Sequence, residues 1–384
     1  MKKFYSIILV LSGLFSLEAA QPEKMPDFSW ETVPRYMHMR KAKAFTQKEF
    51  DYLAKFPLIT LEKTTGATTY GSTEKGSLEA AKGIKAVNPN AKVLYYRNII
   101  VHYGGYDVND SMGAIDTPLL LNESGDSKLI HKKKRGAYDL TNPELQSWWL
   151  DHCQEMAAHP EIDGIFIDGN IKALEPAFLR NEIGKEKKSE VEASYGDLMC
   201  DLHNTVGKEE LLIANIIRAR LPNSGLDYLE FFDGSYLEGI ESEANGMTRI
   251  EYLTKGIDAI QKAARDGKII CFSMGLGKAR HVGMGIDDTR QKAERGLAVQ
   301  NRLTYSLAMF LVCAEKYSYF LAHDGYSVNG NDSSVWLKDF PEYSKRLGPP
   351  KGPANRDGNI YERMFEHVSV WLDIENEEAR IEWK

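Results

Sequence analysis

The 384-residue chain is 43% hydrophobic and 27% charged, a composition that excludes a disordered polymer and supplies one large core. Its formal net charge of −7 lacks the basic excess that a nucleic-acid partner demands. Cys153, Cys200, Cys271 and Cys313 have neither CxxC nor metal-ligand spacing, so most read as buried thiols, and neither metal nor cofactor is called for.

The first twenty residues, MKKFYSIILVLSGLFSLEAA, join two lysines to an apolar run from Tyr5 to Leu17 and end on Ala19 and Ala20, the layout of a secretory signal peptide. Residues 1–20 are expected to be removed and the rest exported, to the periplasm or the extracellular space. The apolar run is shorter than the roughly 20 residues that span a bilayer, so no stable membrane insertion is expected after cleavage.

Residues 33–39 are extended, and 46–55 are helical, opened by Thr46 as N-cap with Glu49 three residues on. A strand over 58–62 and helical apolar spacing over 72–87 make a second β/α unit, and AKVLYYRN at 91–98 is a third strand. The connection over 99–139 has the length of a functional loop, and Asn142 and Pro143 then open a helix. IDGIFIDG at 162–169 reads as a buried parallel strand ending in an acid. A helix over 188–206, strands over 211–216 and 229–237, a helix over 247–266, a strand over 268–274, a helix over 289–313 and a strand over 317–322 bring the count to eight strands. Only the link over 217–228 is too short for a clear helix. This α/β rhythm, with no glycine-rich phosphate turn after the first strand, predicts a (β/α)8 TIM barrel over 21–324. Residues 325–384 hold a loop rich in Gly, Asn, Asp and Pro, alternating residues over 361–374 and a return strand over 379–383: a small antiparallel β ribbon packed on the barrel as lid or brace.

In such barrels the site lies at the C-terminal ends of the strands. From first strand to eighth, the polar residues there are His38, Arg40, Glu62, Lys63, Arg97, Asn98, Asp168, Asn215, Asp233, Glu238, Ser273, His323 and Asp324. Asp168 ends an apolar strand and precedes Gly169, where backbone or ligand can approach closely. Asp163 lies before the strand core, toward the other end, and reads as structural. Glu238 follows the aromatic run of the sixth strand, with Asp233 as its substitute, whereas Glu241 and Glu243 fit a solvated loop face. Two carboxylates cleave a glycosidic bond by dividing the labour: one protonates the leaving oxygen, and the other attacks the anomeric carbon or activates water. Asn215 lies between them in strand order and suits a sugar hydroxyl or an acid that needs orienting. The plainer roles for these residues are helix N-caps and strand-end caps.

DGIFIDGN at 163–170, IAN at 213–215 and FFDGSYLEG at 231–239 resemble the matching strands of bacterial TIM-barrel proteins assigned as glycoside hydrolases. More distantly, they are similar to the endo-α-1,4-polygalactosaminidase and spherulin-type galactosaminidase group. The tail from GPPKGPANRDGNIYERMF onward extends the resemblance over most of the mature chain. It implies an Asp ending strand 4 and a Glu ending strand 6 as functional acids, with an Asn on strand 5 in some members, which map onto Asp168, Glu238 and Asn215.

Tyr95, Tyr96, Tyr103, Tyr106, Tyr236, Tyr326 and Trp336 lie on or near the site-facing loops, where aromatic faces suit sugar rings. The basic run from His131 to Arg135, with Arg97 and Arg40, suits uronate or sulfate groups. Asn329, Asn331 and Asp332 have alternating oxygen ligands but too few carboxylates for a calcium loop, and read as a turn. GxSxG, HExxH and P-loop motifs are missing from the sequence. The expectation is an exported glycoside hydrolase with Asp168 and Glu238 catalytic. Asn215, Asp233, Arg97, Asn98, His38, Arg40, Lys63, Tyr236, His323 and Trp336 are expected on the substrate, a carbohydrate of acidic or amino-sugar type. The rivals are a polysaccharide lyase, with Arg97 or Arg40 neutralising a uronate, and a silent barrel that binds glycan through its aromatic residues.

Overall fold

The computed structural model describes residues 24–384 except 128, 132, 133, 176, 178, 207, 242–245, 277–288 and 330–334. The expected signal peptide, Lys132, Lys133, Glu243, Asn331 and Asp332 thus lie outside the described residues.

Eight parallel strands form the barrel: β1 (Met37–Met39), β2 (Leu58–Leu61), β3 (Lys92–Asn98), β4 (Gly164–Asp168), β5 (Leu211–Asn215), β6 (Gly234–Leu237), β7 (Ile269–Gly275) and β8 (Ser318–His323). They pair in chain order. The ring closes between first and last, where the Tyr36 N–H donates to the Phe320 carbonyl at 3.0 Å and the Phe320 N–H to that of Pro34 at 2.8 Å. Helices α1 (Gln47–Leu53), α2 (Thr73–Val87), α3 (Pro143–Ala157), α4 (Lys185–Val206), α5 (Arg249–Arg265) and α6 (Thr289–Cys313) fill the connections. The architecture is a (β/α)8 TIM barrel with a C-terminal β ribbon.

Local chemistry places these helices. Thr46 and Glu49 form a reciprocal capping box on α1, Thr248 and Glu251 another on α5, and the Asn142 side chain accepts from the N–H groups of Glu144 and Leu145 ahead of Pro143. The link between β5 and β6 is not an α-helix. It is a 3-10 segment, Pro222–Phe231, in which Asn223, Ser224 and Gly225 take φ of 41°, 55° and 79°, values that no right-handed α-helix accommodates. That segment occupies the first residues expected of the sixth strand, which begins only at Gly234. The four cysteines are free thiols, three of them buried and Cys200 exposed.

The ribbon has four antiparallel strands: β9 (Asn355–Asp357), β10 (Ile360–Met364), β11 (Val368–Asp373) and β12 (Glu378–Trp383). Period-2 alternation buries Tyr361 and Arg363 from β10 with Val368, Val370 and Leu372 from β11. The Arg363 guanidinium donates to the Leu311 and Ala314 carbonyls at 3.1 and 2.5 Å and pairs with Glu315 at 2.7 Å. These are the orphan acceptors of the α6 C-terminus, where a cation also meets the negative end of the helix dipole.

Candidate active site

Alternation along the barrel strands decides which side chains reach the interior. Phe166, Tyr96, Tyr236 and His38 share an aromatic layer: His38 lies 4.9 Å from both Phe166 and Tyr236, and Phe166 lies 5.8 Å from Tyr96, between ring centroids. Two residues further along their strands, above Phe166, Tyr96 and Tyr236, stand Asp168, Asn98 and Glu238. Asn215 occupies the equivalent place at the end of β5. They open on a cleft of about 700 Å3 lined by Asp168, Asn215, Glu238, Lys63, Tyr236 and Tyr326, among others.

Asp168 is embedded in donors. The Tyr96 hydroxyl donates to Oδ2 at 2.6 Å and Asn98 Nδ2 to the same oxygen at 3.2 Å, while Asn215 Nδ2 reaches Oδ1 at 3.2 Å. Burial pushes its pKa upward, but the Tyr96 hydrogen bond, the charges of Lys63 and Lys172 and the Gly169 N–H outweigh it, so the carboxyl lies below its ordinary range and is ionised. Gly169 is required beside it. Its φ is +88°, and a Cβ there would stand 2.6 Å from Asn98 Oδ1.

Glu238 is the more accessible acid, its side chain 48% exposed. Asn215 Nδ2 donates to its Oε2 at 3.1 Å, and Arg218 Nη2 lies 3.8 Å from that oxygen. The same Arg218 nitrogen donates to Asn215 Oδ1 at 3.0 Å, which fixes the amide's orientation. One amide nitrogen therefore bonds both carboxylates. Oxygens at 3.2 and 3.1 Å from one nitrogen stand at most 6.3 Å apart, and the roughly 120° between an amide's N–H bonds puts them at about 5.5 Å.

Of the other expected residues, His38, Arg40, Lys63 and Tyr236 line the cleft. His38 is neutral: burial depresses its pKa well below the usual value, and Lys63 adds to this. Its Nδ1 lies 3.1 Å from the Tyr36 hydroxyl. Tyr236 shares a 2.5 Å hydroxyl contact with Tyr326. Asn98 sits behind Asp168 and orients it, its Oδ1 held by the N–H groups of Ile100 and Val101 at 3.0 and 2.6 Å.

Four residues stand elsewhere. Arg97, one step out of phase with Tyr96 and Asn98, points to the helical layer, its guanidinium 5.1 Å from the rings of both Tyr106 and Trp148. Asp233 lies at the opposite end of the barrel, where it accepts the Leu212 N–H at 2.9 Å and pairs with Lys24 at 2.7 Å. Asp163 is its counterpart there, accepting the Val93 N–H at 2.8 Å and pairing with Lys85. Trp336 packs edge-on against Tyr52 at 5.4 Å, and His323 stacks on Tyr326 at 4.5 Å; both line a separate small pocket between the barrel seam and the following loop. The basic loop contributes Arg135, which lies 5.0 Å over the ring of Tyr103, a residue of the cleft wall.

The sequence reading passes over Arg218, Lys172, Arg220 and Glu175, all on the cleft wall. Lys172 lies four residues beyond Asp168 and Arg218 three beyond Asn215, so the loops that follow the two site-bearing strands held the available signal. Glu62 is also central. It is buried at the end of β2 and pairs with both Arg40, at 3.1 Å, and Lys63.

Solved structures similar to this chain include a maltogenic α-amylase from Thermotoga neapolitana, 12% identical, with 89% of this chain and 86% of that one covered at a TM-score of 0.48. An α-amylase from Anoxybacillus is 10% identical, with coverage of 90% and 87% and a TM-score of 0.48. An α-galactosidase from Thermus thermophilus is 11% identical, with coverage of 92% and 68% and a TM-score of 0.44. No curated protein matches the chain significantly. Residues 85–369, most of the chain, match the family described as hypothetical glycosyl hydrolase family 15. The chain belongs to that glycosyl hydrolase family and is, by that membership, a glycoside hydrolase.

Proposed function

We propose that this glycoside hydrolase is exported and acts with retention of anomeric configuration, with Asp168 as nucleophile and Glu238 as acid and base. The observation that carries the reading is the shared Asn215 amide, which holds the two carboxylates nearer than the roughly 6.5–9.5 Å an inverting enzyme leaves for water and close to the roughly 5–5.5 Å of retaining ones. The ionised, donor-surrounded Asp168 suits attack on the anomeric carbon. The accessible Glu238 suits a group that must meet the leaving oxygen and then water.

In the first step an Asp168 oxygen bonds to the anomeric carbon as the bond to the leaving oxygen breaks, and the Glu238 proton moves to that oxygen. In the second, Glu238 takes a proton from water, whose oxygen bonds to the anomeric carbon and displaces Asp168. The aromatic floor and the Tyr236–Tyr326 hydroxyls offer faces and polar groups to a sugar ring.

Export rests on the leader pattern of residues 1–20, and the division into a barrel over 21–324 and an appended segment over 325–384 follows from the same sequence. The cleft cations are mostly matched, Arg40 and Lys63 by Glu62 and Arg220 by Glu175. An acidic glycan therefore draws its support from Lys172, which has no ion pair among the described residues.

The test is the protein from residue 21 onward against neutral, amino-sugar and acidic glycans, beside Asp168→Asn and Glu238→Gln, with the first-formed anomer read by NMR. Retained configuration and losses of at least about 1,000-fold in both variants are expected. An inverted product would overturn the mechanism, and glycan binding without any product would make the barrel a silent one.

A further inference from the structure

Glu238 leaves the barrel at the end of β6 and is followed by Gly239, with φ of +64°, and the buried Ile240. Among the described residues, its polar side-chain partners are a shared amide and a guanidinium at 3.8 Å. For so accessible an acid these fix the carboxylate weakly, so the path of the backbone must do the rest. Three residues on, Glu241 is gripped from two helices. Arg302 of α6 donates to both of its oxygens, at 3.1 Å to Oε1 and more closely to Oε2, while Arg249 of α5 lies 3.5 Å from Oε1.

Each arginine is anchored again. Arg302 Nε donates to the Gly275 carbonyl at the end of β7, at 3.1 Å. Arg249 donates to the Ile374 carbonyl at 2.8 Å, meets the Tyr305 hydroxyl at 3.2 Å and pairs with Glu377 at 3.2 Å. Ile374 and Glu377 belong to the turn joining β11 to β12. All three central side chains are mostly covered, Glu241 23%, Arg249 21% and Arg302 18% exposed, so solvent screens the pairs only in part. A solvated loop face does not describe Glu241. Surface carboxylates have no need of two guanidiniums, one tied to the end of β7 and the other to the turn of the ribbon.

We infer that Glu241 is a positioning residue for Glu238, and that the Arg302–Glu241–Arg249 brace couples the C-terminal ribbon to the placement of the acid and base. The inference rests on Glu238 having that role. Bond cleavage needs the carboxyl within hydrogen-bond reach of the leaving oxygen, and displacement by about 1 Å costs on the order of 100-fold where proton transfer is required. Where the leaving group departs without a proton, displacement costs almost nothing.

That asymmetry is the test. Phenyl and 2,4-dinitrophenyl glycosides of each common hexose, amino sugar and uronic acid are assayed for kcat/KM with the wild type, Glu241→Gln, Arg302→Gln, Glu238→Gln and the double variant Glu238→Gln/Glu241→Gln. The expected result is a loss of about 10- to 100-fold on the phenyl glycoside for Glu241→Gln and Arg302→Gln, against less than about threefold on the dinitrophenyl one. The double variant should be no worse than Glu238→Gln alone, because the brace has nothing further to place.

Equal losses on the two leaving groups, or full additivity in the double variant, would reduce Glu241 to a fold-stabilising residue and overturn the inference. If Glu238→Gln itself ignores the leaving group, the assignment of the acid fails instead. If neither these glycosides nor any glycan of the panel is turned over, the hydrolase reading fails and the inference with it.

Discussion

Tyr96 occupies an interior position of β3 and spends its hydroxyl on Asp168, at 2.6 Å. Hydrogen bonds to charged groups are worth roughly 1.5–3 kcal/mol, so removing this one weakens the hold on the ionised carboxylate. In Tyr96→Phe the acid limb of kcat/KM should move to higher pH, because less opposes the burial that pushes Asp168 upward. On that limb activity should fall about tenfold, with much less change at neutral pH; an unmoved limb would show that the hydroxyl does not govern the ionisation that matters. The same strand shows what was legible. Strand-end chemistry singled out Asp168, Asn215, Glu238 and Asn98, which the structure brings together, but it put Arg97 with them. Alternation alone separates Arg97 from Asn98. Asp233 was misplaced for a related reason: the start of β6 could not be fixed while the turn before it read as strand.

At the scale of elements, Arg363 joins the ribbon to α6. It is 3% exposed, and its guanidinium serves two carbonyls and one carboxylate. Arg363→Met keeps the bulk and strands those acceptors, at roughly 1–3 kcal/mol for each buried unpaired group. A loss of about 3 kcal/mol in urea unfolding is expected, and a change below about 1 kcal/mol would mean that the ribbon is merely appended. The helix starts at Thr46 and Asn142 are plain in the sequence because caps are local, each carried within three residues. The cap that Arg363 supplies spans about fifty residues. No local pattern announces it, nor does any announce the two arginines that hold Glu241.

The whole molecule carries its own pH dependence through histidines buried neutral. Burial lowers His38 well below its ordinary value and His152 to about 3, with the charges of Lys63 and Arg97 respectively contributing in the same direction. Above the unfolded value of about 6.5 neither state binds these protons, so nothing is lost. As pH falls below it the unfolded chain takes them up first, and folding weakens by about 1.4 kcal/mol per pH unit for each histidine until the folded value is reached. Asp168 has the same dependence on a lower range: its contribution is present above about 3.9 and is lost only as the pH drops below that. Between pH 6.5 and 4 the histidines should therefore set the slope. Unfolding midpoints across that interval should show it, and His152→Gln, which keeps a partner for Tyr95, should remove roughly a third to a half, since burial also lowers His102; a flat profile would mean that the rings take protons without unfolding.

The donors around Asp168 also bear on which inactive variant can hold a substrate. Each of its oxygens faces an amide NH2, from Asn98 on one side and Asn215 on the other. An asparagine at 168 has a single oxygen, so whichever way it turns it sets N–H against N–H, and relief on the Asn215 side takes that amide away from Arg218 and Glu238 as well. A glutamine at 238 meets no such conflict, since one oxygen toward Asn215 satisfies the contact and its NH2 can face water. Asp168→Asn thus removes the proposed nucleophile and disturbs its surroundings as well, whereas Glu238→Gln leaves them standing, which makes the second variant the one in which to trap a bound glycan.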